Sequence, residues 1–454
     1  MREMVSRGTV DTIAAIATPV GRGGIGVVRV SGARAEFIMR AMMRRTLDAR
    51  HATIGDFNDR EGVAIDRGLG IYFPAPHSYT GENVFELQAH GGPAVLARLL
   101  KRCLELGARL AQPGEFTERA FLNNKLDLAQ AEAVADLIEA SSEEAARSAA
   151  RTLTGEFSRR VFAITEALTE LRAQVEACID FPEDEIDLAD RVLQREKLQG
   201  IRNALSELAR EARLGAVLRD GLTVVLIGRP NVGKSSLLNC LAGDDIAIVT
   251  PVAGTTRDHV RATIHIDGLP IHLIDTAGLR ETDDEVEKIG ISRTWAAIEA
   301  AGAVLLIMEA GEMAGRNEAE ILQRIPEKIP KIWVYNKIDL FEATQVSRGT
   351  ILGGTDTQVK VSALSGEGVD ELRAWLLRTA GWKPMEGVFL ARERHLVALA
   401  NAASHLDEAD ATLEQYDLLA EELRLAQQAL TTITGDFSSD DLLGEIFGKF
   451  CIGK

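Results

Sequence analysis

The residues with the clearest chemical purpose lie mid-chain, in TVVLIGRPNVGKSSLLNCL. An apolar strand runs into Gly228-x-x-x-x-Gly233-Lys234-Ser235 and then into a helix, the setting in which such a loop holds phosphates. Backbone N–H groups of Asn231, Val232 and Gly233 can curl round phosphate oxygens. The helix start at Lys234, Ser235 and Ser236 adds its dipole. Lys234 is placed to reach the β and γ oxygens, and the Ser235 hydroxyl can ligate Mg²⁺.

Three further stretches follow in the order a GTPase needs. Asp275, Thr276, Ala277 and Gly278 follow the strand PIHLI; the carboxylate can act on Mg²⁺ through water, and the Gly278 amide can sense the γ-phosphate. Asn336, Lys337 and Asp339 of NKID follow KIWVY. The Asp339 carboxylate can accept from N1 and N2 donors that guanine has and adenine lacks, which makes GTP the nucleotide. Ser362, Ala363 and Leu364 follow VKV and can supply a backbone amide to the guanine oxygen.

Hydrolysis needs another device, because Leu279 stands where a water-orienting glutamine would be expected. Asn231 and the stretch TPVAGTTRD offer a substitute. Oxygens of Asn231, Thr250, Val252 and Thr255, in a loop completed by Pro251, Ala253 and Gly254, could enclose a monovalent cation beside the phosphates. Thr256 would complete the Mg²⁺ shell. Acids that could hold the water lie in RETDDEVEKIG, and the residues alone leave the choice among them open.

These motifs must be positioned by a larger frame. At 454 residues the chain calls for two or three domains, and its hydrophobic and charged fractions, 46% and 26%, are those of a globular protein. Runs such as LTVVLIG and AVLLIM fall short of a membrane span, so no membrane association is expected. Four scattered cysteines, without CxxC pairing, fit a cytoplasmic protein with neither a disulfide framework nor a zinc site. The net charge is −17, yet residues 1–120 hold 16 Lys and Arg against 13 Asp and Glu, so this block at +3 is the part best suited to a polyanion.

The pattern divides the chain into four segments. Residues 1–122 read as α+β, with strands such as GIGVVRVSG and NVFELQAHGG and one helix near 94–106. Residues 123–218 are helical. Residues 219–381 alternate strand and helix as a doubly wound G domain does, and helical composition returns over 382–454. The expected fold is therefore multidomain α/β, with an α+β N-terminal domain and an all-α domain interrupted by an inserted Ras-like G domain. GRGGIG leads into a strand instead of a helix, so it reads as a glycine-rich turn and not a dinucleotide fingerprint.

The stretches ATPVGRGGIGVVRVSG, SYTGENVFELQAHGG, PGEFTERAFLNNKLDLAQAEAVADLI, DTAGLRETDDEVEKIGISR and the terminal FCIGK together resemble the MnmE (TrmE) family of tRNA modification GTPases, within the TrmE-Era-EngA group, over essentially the whole chain. The resemblance implies that K⁺ replaces an arginine finger, that dimerising G domains order the switch, and that Glu287, twelve residues after Asp275, positions the water. It implies a homodimer built on an N-terminal domain that binds 5-formyl-tetrahydrofolate, a one-carbon donor, at Arg29, Glu86, Lys125 and Lys454. On residues alone Arg29 could equally be an exposed strand residue and Lys125 a solvated helix start.

The implied activity is addition, with an FAD-dependent MnmG (GidA)-like partner in a heterotetramer or larger complex, of an aminomethyl or carboxymethylaminomethyl group at C5 of the wobble uridine (U34) of certain tRNAs. No FAD motif is present, so redox chemistry falls to the partner. A ribosome-assembly GTPase like Era or Der is the alternative, but the chain shows neither a KH tail nor a second G domain. A folate-dependent methyltransferase with a regulatory GTPase insert is a third reading. Cys451 makes a poor prenylation signal, since CIGK has Gly and Lys in its last two positions. It reads as a structural thiol or, by the resemblance, as a functional one. His77 and His90 belong to no ligand pattern.

Overall fold

The computed structural model describes residues 11–180, 188–242, 262–275, 295, 298–299, 301–312, 322–340, 357–383, 387–435 and 440–453. The chain forms two compact units, one of Met1–Ala135, Leu153–Glu170 and Leu423–Lys454, the other of Asp136–Thr152 and Leu171–Glu422.

The first unit is built on strands β1 (Ile13–Ile16), β2 (Gly23–Ser31), β3 (Thr53–Asn58), β4 (Ala64–Phe73), β5 (Val84–Gly91) and β6 (Arg109–Leu110), in the order β3-β4-β5-β2-β1-β6. Neighbours are antiparallel except β1 with β6. Helices α1 (Ala35–Met43) and α2 (Pro93–Glu105) cover one face, where Val28, Val30, Phe85 and Leu87 meet Ile38, Met39, Met42, Leu96 and Leu99. The period-two alternation of β2 and β5 puts every second residue into that core. A Cβ on Gly70 would lie 2.2 Å from the Met43 sulfur, so a larger residue there would have to displace the Met43 side chain that packs α1 on β4.

Sequence periodicity points to one helix in this region, whereas the described residues form three, counting α3 (Glu115–Leu122). Helices α1 and α3 are nine and eight residues long, too short for a 3.6-residue repeat to declare itself, and tertiary burial sustains them. On the second face of the sheet α3 brings Phe116 against Ile13, Ala15 and Ala111, with Tyr79 beside them. The buried Arg119 of α3 donates to Glu115 at 2.8 Å, Glu82 at 3.0 Å and Asp11 at 3.0 Å, and Arg109 donates to Glu115 at 2.6 Å.

In the same unit, α4 (Leu128–Glu139) contributes Leu128 and Ala131 to a cluster with Leu443, Phe447 and Phe450. The last residues then lie along the sheet. Ile452 forms an antiparallel bridge with Pro113, and Gly453, at φ 101°, lies where a Cβ would meet the Ile16 carbonyl at 2.4 Å.

The second unit contains α5 (Glu143–Leu153), the end of α6 (Glu156–Asp180) from Leu171, α7 (Leu188–Asp220) and the G domain: β7 (Leu222–Gly228), α8 (Lys234–Ala242), β8 (Ala262–Ile266), β9 (Leu269–Asp275), β10 (Ala303–Glu309), β11 (Lys331–Asn336), β12 (Thr357–Lys360) and α9 (Val369–Thr379). Its sheet runs β12-β11-β10-β7-β9-β8, parallel except for the β8–β9 hairpin. Strands β7 and β10 are near-continuous apolar runs because both faces are buried. Leu222, Val224 and Leu226 enter one core, and Val225 and Ile227 enter the other. Helix α10 (Glu393–Ala411) and the start of α11 (Tyr416–Thr434) follow in this unit; the rest of α11 and α12 (Asp440–Gly448) belong to the first. Arg202 of α7 pairs with Asp407 and Asp410 of α10 at 2.6 and 2.7 Å. Among the described residues no helix is long and apolar enough to cross a membrane.

The Arg119 cluster sets an acid limit for the first unit. Burial raises the Glu115 carboxyl, but the Arg109 and Arg119 guanidiniums and the Gln112 amide outweigh it and hold Glu115 below the ordinary glutamate value. Its contribution is therefore present above that ordinary value and lost as pH falls through the depressed one. The unfolding temperature should hold above about pH 5 and drop below about pH 4, as read by calorimetry. Arg119→Met, which leaves Glu115 paired with Arg109 but removes the guanidinium shared with Glu82 and Asp11, should destabilise by about 1–3 kcal/mol at pH 7 and soften the acid limb.

Candidate functional site

The nucleotide motifs converge at the carboxyl ends of β7 and β11, where open parallel sheets place their ligands. Gly228 ends β7 so near β10 that a Cβ would lie 2.5 Å from the Ile307 carbonyl. The chain then turns through Asn231 at φ 67° and Gly233 at φ 92°, and α8 starts at Lys234. The Lys234 ammonium donates to the carbonyls of Gly228 at 2.6 Å and Arg229 at 3.1 Å, which places it over the mouth of the loop. Ser235 and Ser236 are exposed in the first turn of α8, so the Ser235 hydroxyl is accessible to a cation.

Asn336 ties this loop to the segments of Asp339 and of Ser362–Leu364. Its side chain is 1% exposed; Nδ2 donates to the Val232 carbonyl at 2.9 Å, and Oδ1 accepts from the Ala363 amide at 3.1 Å. A Cβ on Gly233 would sit 2.3 Å from Nδ2, so the loop glycine is needed for this contact as well as for its backbone angle. Asp339 lies on a 3₁₀ turn, Ile338–Leu340, and its Oδ1 accepts from the buried Ser362 hydroxyl at 2.5 Å. Ser362 Oγ in turn accepts from the Ser365 amide at 3.1 Å, so the Asp339 carboxylate is held in one orientation. Lys337 takes φ 65°, and its ammonium pairs with Glu309 at 2.7 Å. Leu364 is 86% exposed at the rim.

Asp275 closes β9, in register with Leu226 of the phosphate-loop strand. The cation and water-holding candidates Thr250, Pro251, Val252, Ala253, Gly254, Thr255, Thr256, Thr276, Ala277, Gly278 and Glu287 lie outside the described residues, as does Lys454.

A second cluster occupies the α3 face of the N-terminal sheet. Arg29 and Glu86 are cross-strand partners on β2 and β5, joined at 2.8 Å. The Arg29 guanidinium lies 5.4 Å from the Tyr79 ring centre and 5.7 Å from that of Phe116, so this arginine is a half-buried, stacked residue and not a freely exposed one. Tyr79 Oη is 2.8 Å from Thr117 Oγ1. Burial raises the phenol, partly opposed by Thr117 and Arg29.

Lys125 is exposed just after α3, its Cγ 3.5 Å from where a Cβ on Gly81 would stand, and Asn123 anchors its segment to the Thr80 carbonyl at 2.6 Å. Cys451, also exposed, accepts through its carbonyl from the Gly114 amide at 3.4 Å, two residues from Phe116. Cys103 is the opposite case: fully buried, its thiol pushed up to about 12. Tyr79 and Phe116 are the members that sequence reading misses. Their one signal is an aromatic set among small and turn-forming residues, in SYTGEN and PGEF, next to motifs otherwise read for their charges.

Comparison with known proteins fits this arrangement. Residues 12–125 match the GTP-binding protein TrmE N-terminus, and residues 128–451 match the MnmE helical domain. The tRNA modification GTPase MnmE of Thiobacillus denitrificans is 56% identical over 98% of this chain and 98% of its own length. Those of Nitrosomonas europaea and Burkholderia ambifaria are each 56% identical over 98% of this chain and 99% of theirs. With a guanine-reading G domain set among those two domains, the chain belongs to the MnmE (TrmE) family and is a GTPase acting in tRNA modification.

Proposed function

We propose that this GTPase works with an FAD-dependent MnmG (GidA)-like protein to add an aminomethyl or carboxymethylaminomethyl group at C5 of U34 in certain tRNAs, as a cytoplasmic homodimer within a heterotetramer or larger complex. What supports this reading is that one chain carries two chemically distinct sites: the guanine-nucleotide site organised by Asn336 and the Arg29–Glu86 pair framed by Tyr79 and Phe116.

The second site suits a reduced pterin. A carboxylate can accept from ring N–H groups, a guanidinium can donate to ring acceptors, and two aromatic side chains give a flat apolar wall. A tetrahydrofolate derivative held by Arg29, Glu86, Lys125 and Lys454 would supply the carbon. Lys125 and Lys454 would face its carboxylates. Cys451 stands on the tail that runs beside β1, and we assign it to the modification chemistry and not to hydrolysis.

In the G domain, Lys234 binds the phosphates, Asp339 selects guanine, and Glu287 holds the attacking water. Mg²⁺ would be held by Ser235 and Thr256, and K⁺ by Asn231, Thr250, Val252 and Thr255. When bound, these cations offset negative charge on the β- and γ-phosphates, the task given to an arginine finger in other GTPases. The left-handed turn at Asn231 is in keeping with a backbone shaped for a ligand at that position.

GTP turnover should be faster in K⁺ than in Na⁺ by on the order of 10³, and Glu287→Ala should abolish turnover while retaining GTP binding; both are read by phosphate release and fluorescent-nucleotide titration. Equal rates in the two salts would remove the cation role. Cys451→Ser should hydrolyse GTP at the wild-type rate yet leave U34 unmodified, as read by mass spectrometry of tRNA digests. Normal modification in that variant would return Cys451 to a packing role.

A further inference from the structure

The G domain is an insertion, so the chain enters it once, from α7 into β7, and leaves it once, from α9 toward α10. Both crossings meet at one buried carboxylate. Asp136, on α4, is 7% exposed, and its Oδ1 accepts from Arg219 Nε at 3.0 Å and from an Arg392 terminal nitrogen at 2.8 Å. Arg219 is in the last turn of α7, three residues before Leu222, and Arg392 is the N-cap of α10. Arg392 is itself fixed by a reciprocal cap in which its amide donates to His395 Nδ1 at 3.1 Å. Backbone packing reinforces the joint: a Cβ on Gly215 of α7 would stand 1.7 Å from the Phe389 carbonyl on the exit segment.

The nucleotide-sensing part of the G domain reaches the same joint. Hairpin β8–β9 (Ala262–Asp275) lies in sequence between the stretch assigned to Mg²⁺ at Thr256 and the one assigned to the γ-phosphate at Gly278. Its tip rests on the helix that follows Asp136. Gly268, at φ 80°, would place a Cβ 2.7 Å from Glu144 Cγ, His265 Nε2 is 3.3 Å from Ser141 Oγ, and the Trp382 indole donates to the Asp267 carbonyl at 3.1 Å. Ala145 and Ala149 of α5 share one apolar core with Ile264, Ile266 and Leu269 of the hairpin.

A shift of the hairpin on nucleotide turnover therefore bears on α5, while Asp136 fixes the two tethers about which the G domain would otherwise swing. We infer that Asp136 is a positioning residue of the modification reaction: it clasps the entry and exit of the G domain, so that rearrangement on GTP hydrolysis is delivered to the helical domain instead of being lost in loose tethers. A buried carboxylate suits the task because its two guanidinium partners cannot be exchanged for water without leaving a charge unpaired. The inference rests on the reading that hydrolysis drives tRNA modification.

The test is the ratio of two outputs: GTP turnover by the purified full chain, and modified U34 in tRNA from a strain whose sole gene copy carries the variant. Asp136→Asn keeps shape and removes charge. It should leave turnover within about 2-fold of wild type and lower modification about 10-fold or more, with Asp136→Glu restoring part of it. Arg392→Gln, which leaves the Arg219 pair in place, should uncouple the two outputs in the same sense, and the double variant should be no worse than Asp136→Asn. If Asp136→Asn does not fold, Arg392→Gln carries the same expectation. Parallel loss of both outputs, or normal modification, overturns the inference. A wild-type strain without modified U34 overturns the underlying reading and the inference with it.

Discussion

The nucleotide site depends on a single buried amide. Asn336 has one donor toward the phosphate loop, at Val232, and one acceptor toward the base-reading loop, at Ala363, and both are satisfied with little exposure to water. Three segments far apart in sequence are thereby fixed to one another at hydrogen-bond distance. The tie accounts for the glycine at 233, which leaves room for the amide, and for the orientation of Asp339, whose Ser362 anchor belongs to the loop that Asn336 grips. Preorganisation of this kind means that GTP does not have to bring these three segments together.

The same economy governs the joint between the G domain and its helical surroundings. Because the domain is inserted, its mobility is set where the chain crosses in and out, and there the sequence places Arg219 and Arg392 round Asp136. In the N-terminal unit Arg119 plays the corresponding part, with Glu115, Glu82 and Asp11 gathered round one guanidinium. Each cluster sets a geometry that apolar packing would leave looser.

The short motifs that the structure brings together, Gly228 to Ser235, Asn336 to Asp339 and Ser362 to Leu364, were legible in the sequence because their residues stand at fixed short spacing. The doubly wound sheet was legible for a related reason, since strands buried on both faces leave unbroken apolar runs. Helices α1 and α3 were not, because nine and eight residues hold too few turns for a 3.6-residue repeat to stand out. Tyr79 and Phe116 were hidden because an aromatic wall is assembled across a fold, from a loop and a helix separated by more than a strand and a helix of chain. Asp136 and Arg392 are 256 positions apart, and no local pattern joins them.

The central claim is that Asn336 organises the guanine-nucleotide site, and the most direct measurement is GDP affinity of an Asn336→Ala variant by titration calorimetry, with folding checked by thermal unfolding. Loss of both buried hydrogen bonds should weaken binding by about 10- to 100-fold with the unfolding transition still cooperative. Wild-type affinity in that variant would show that the three loops hold their arrangement without the amide, and would contradict the account.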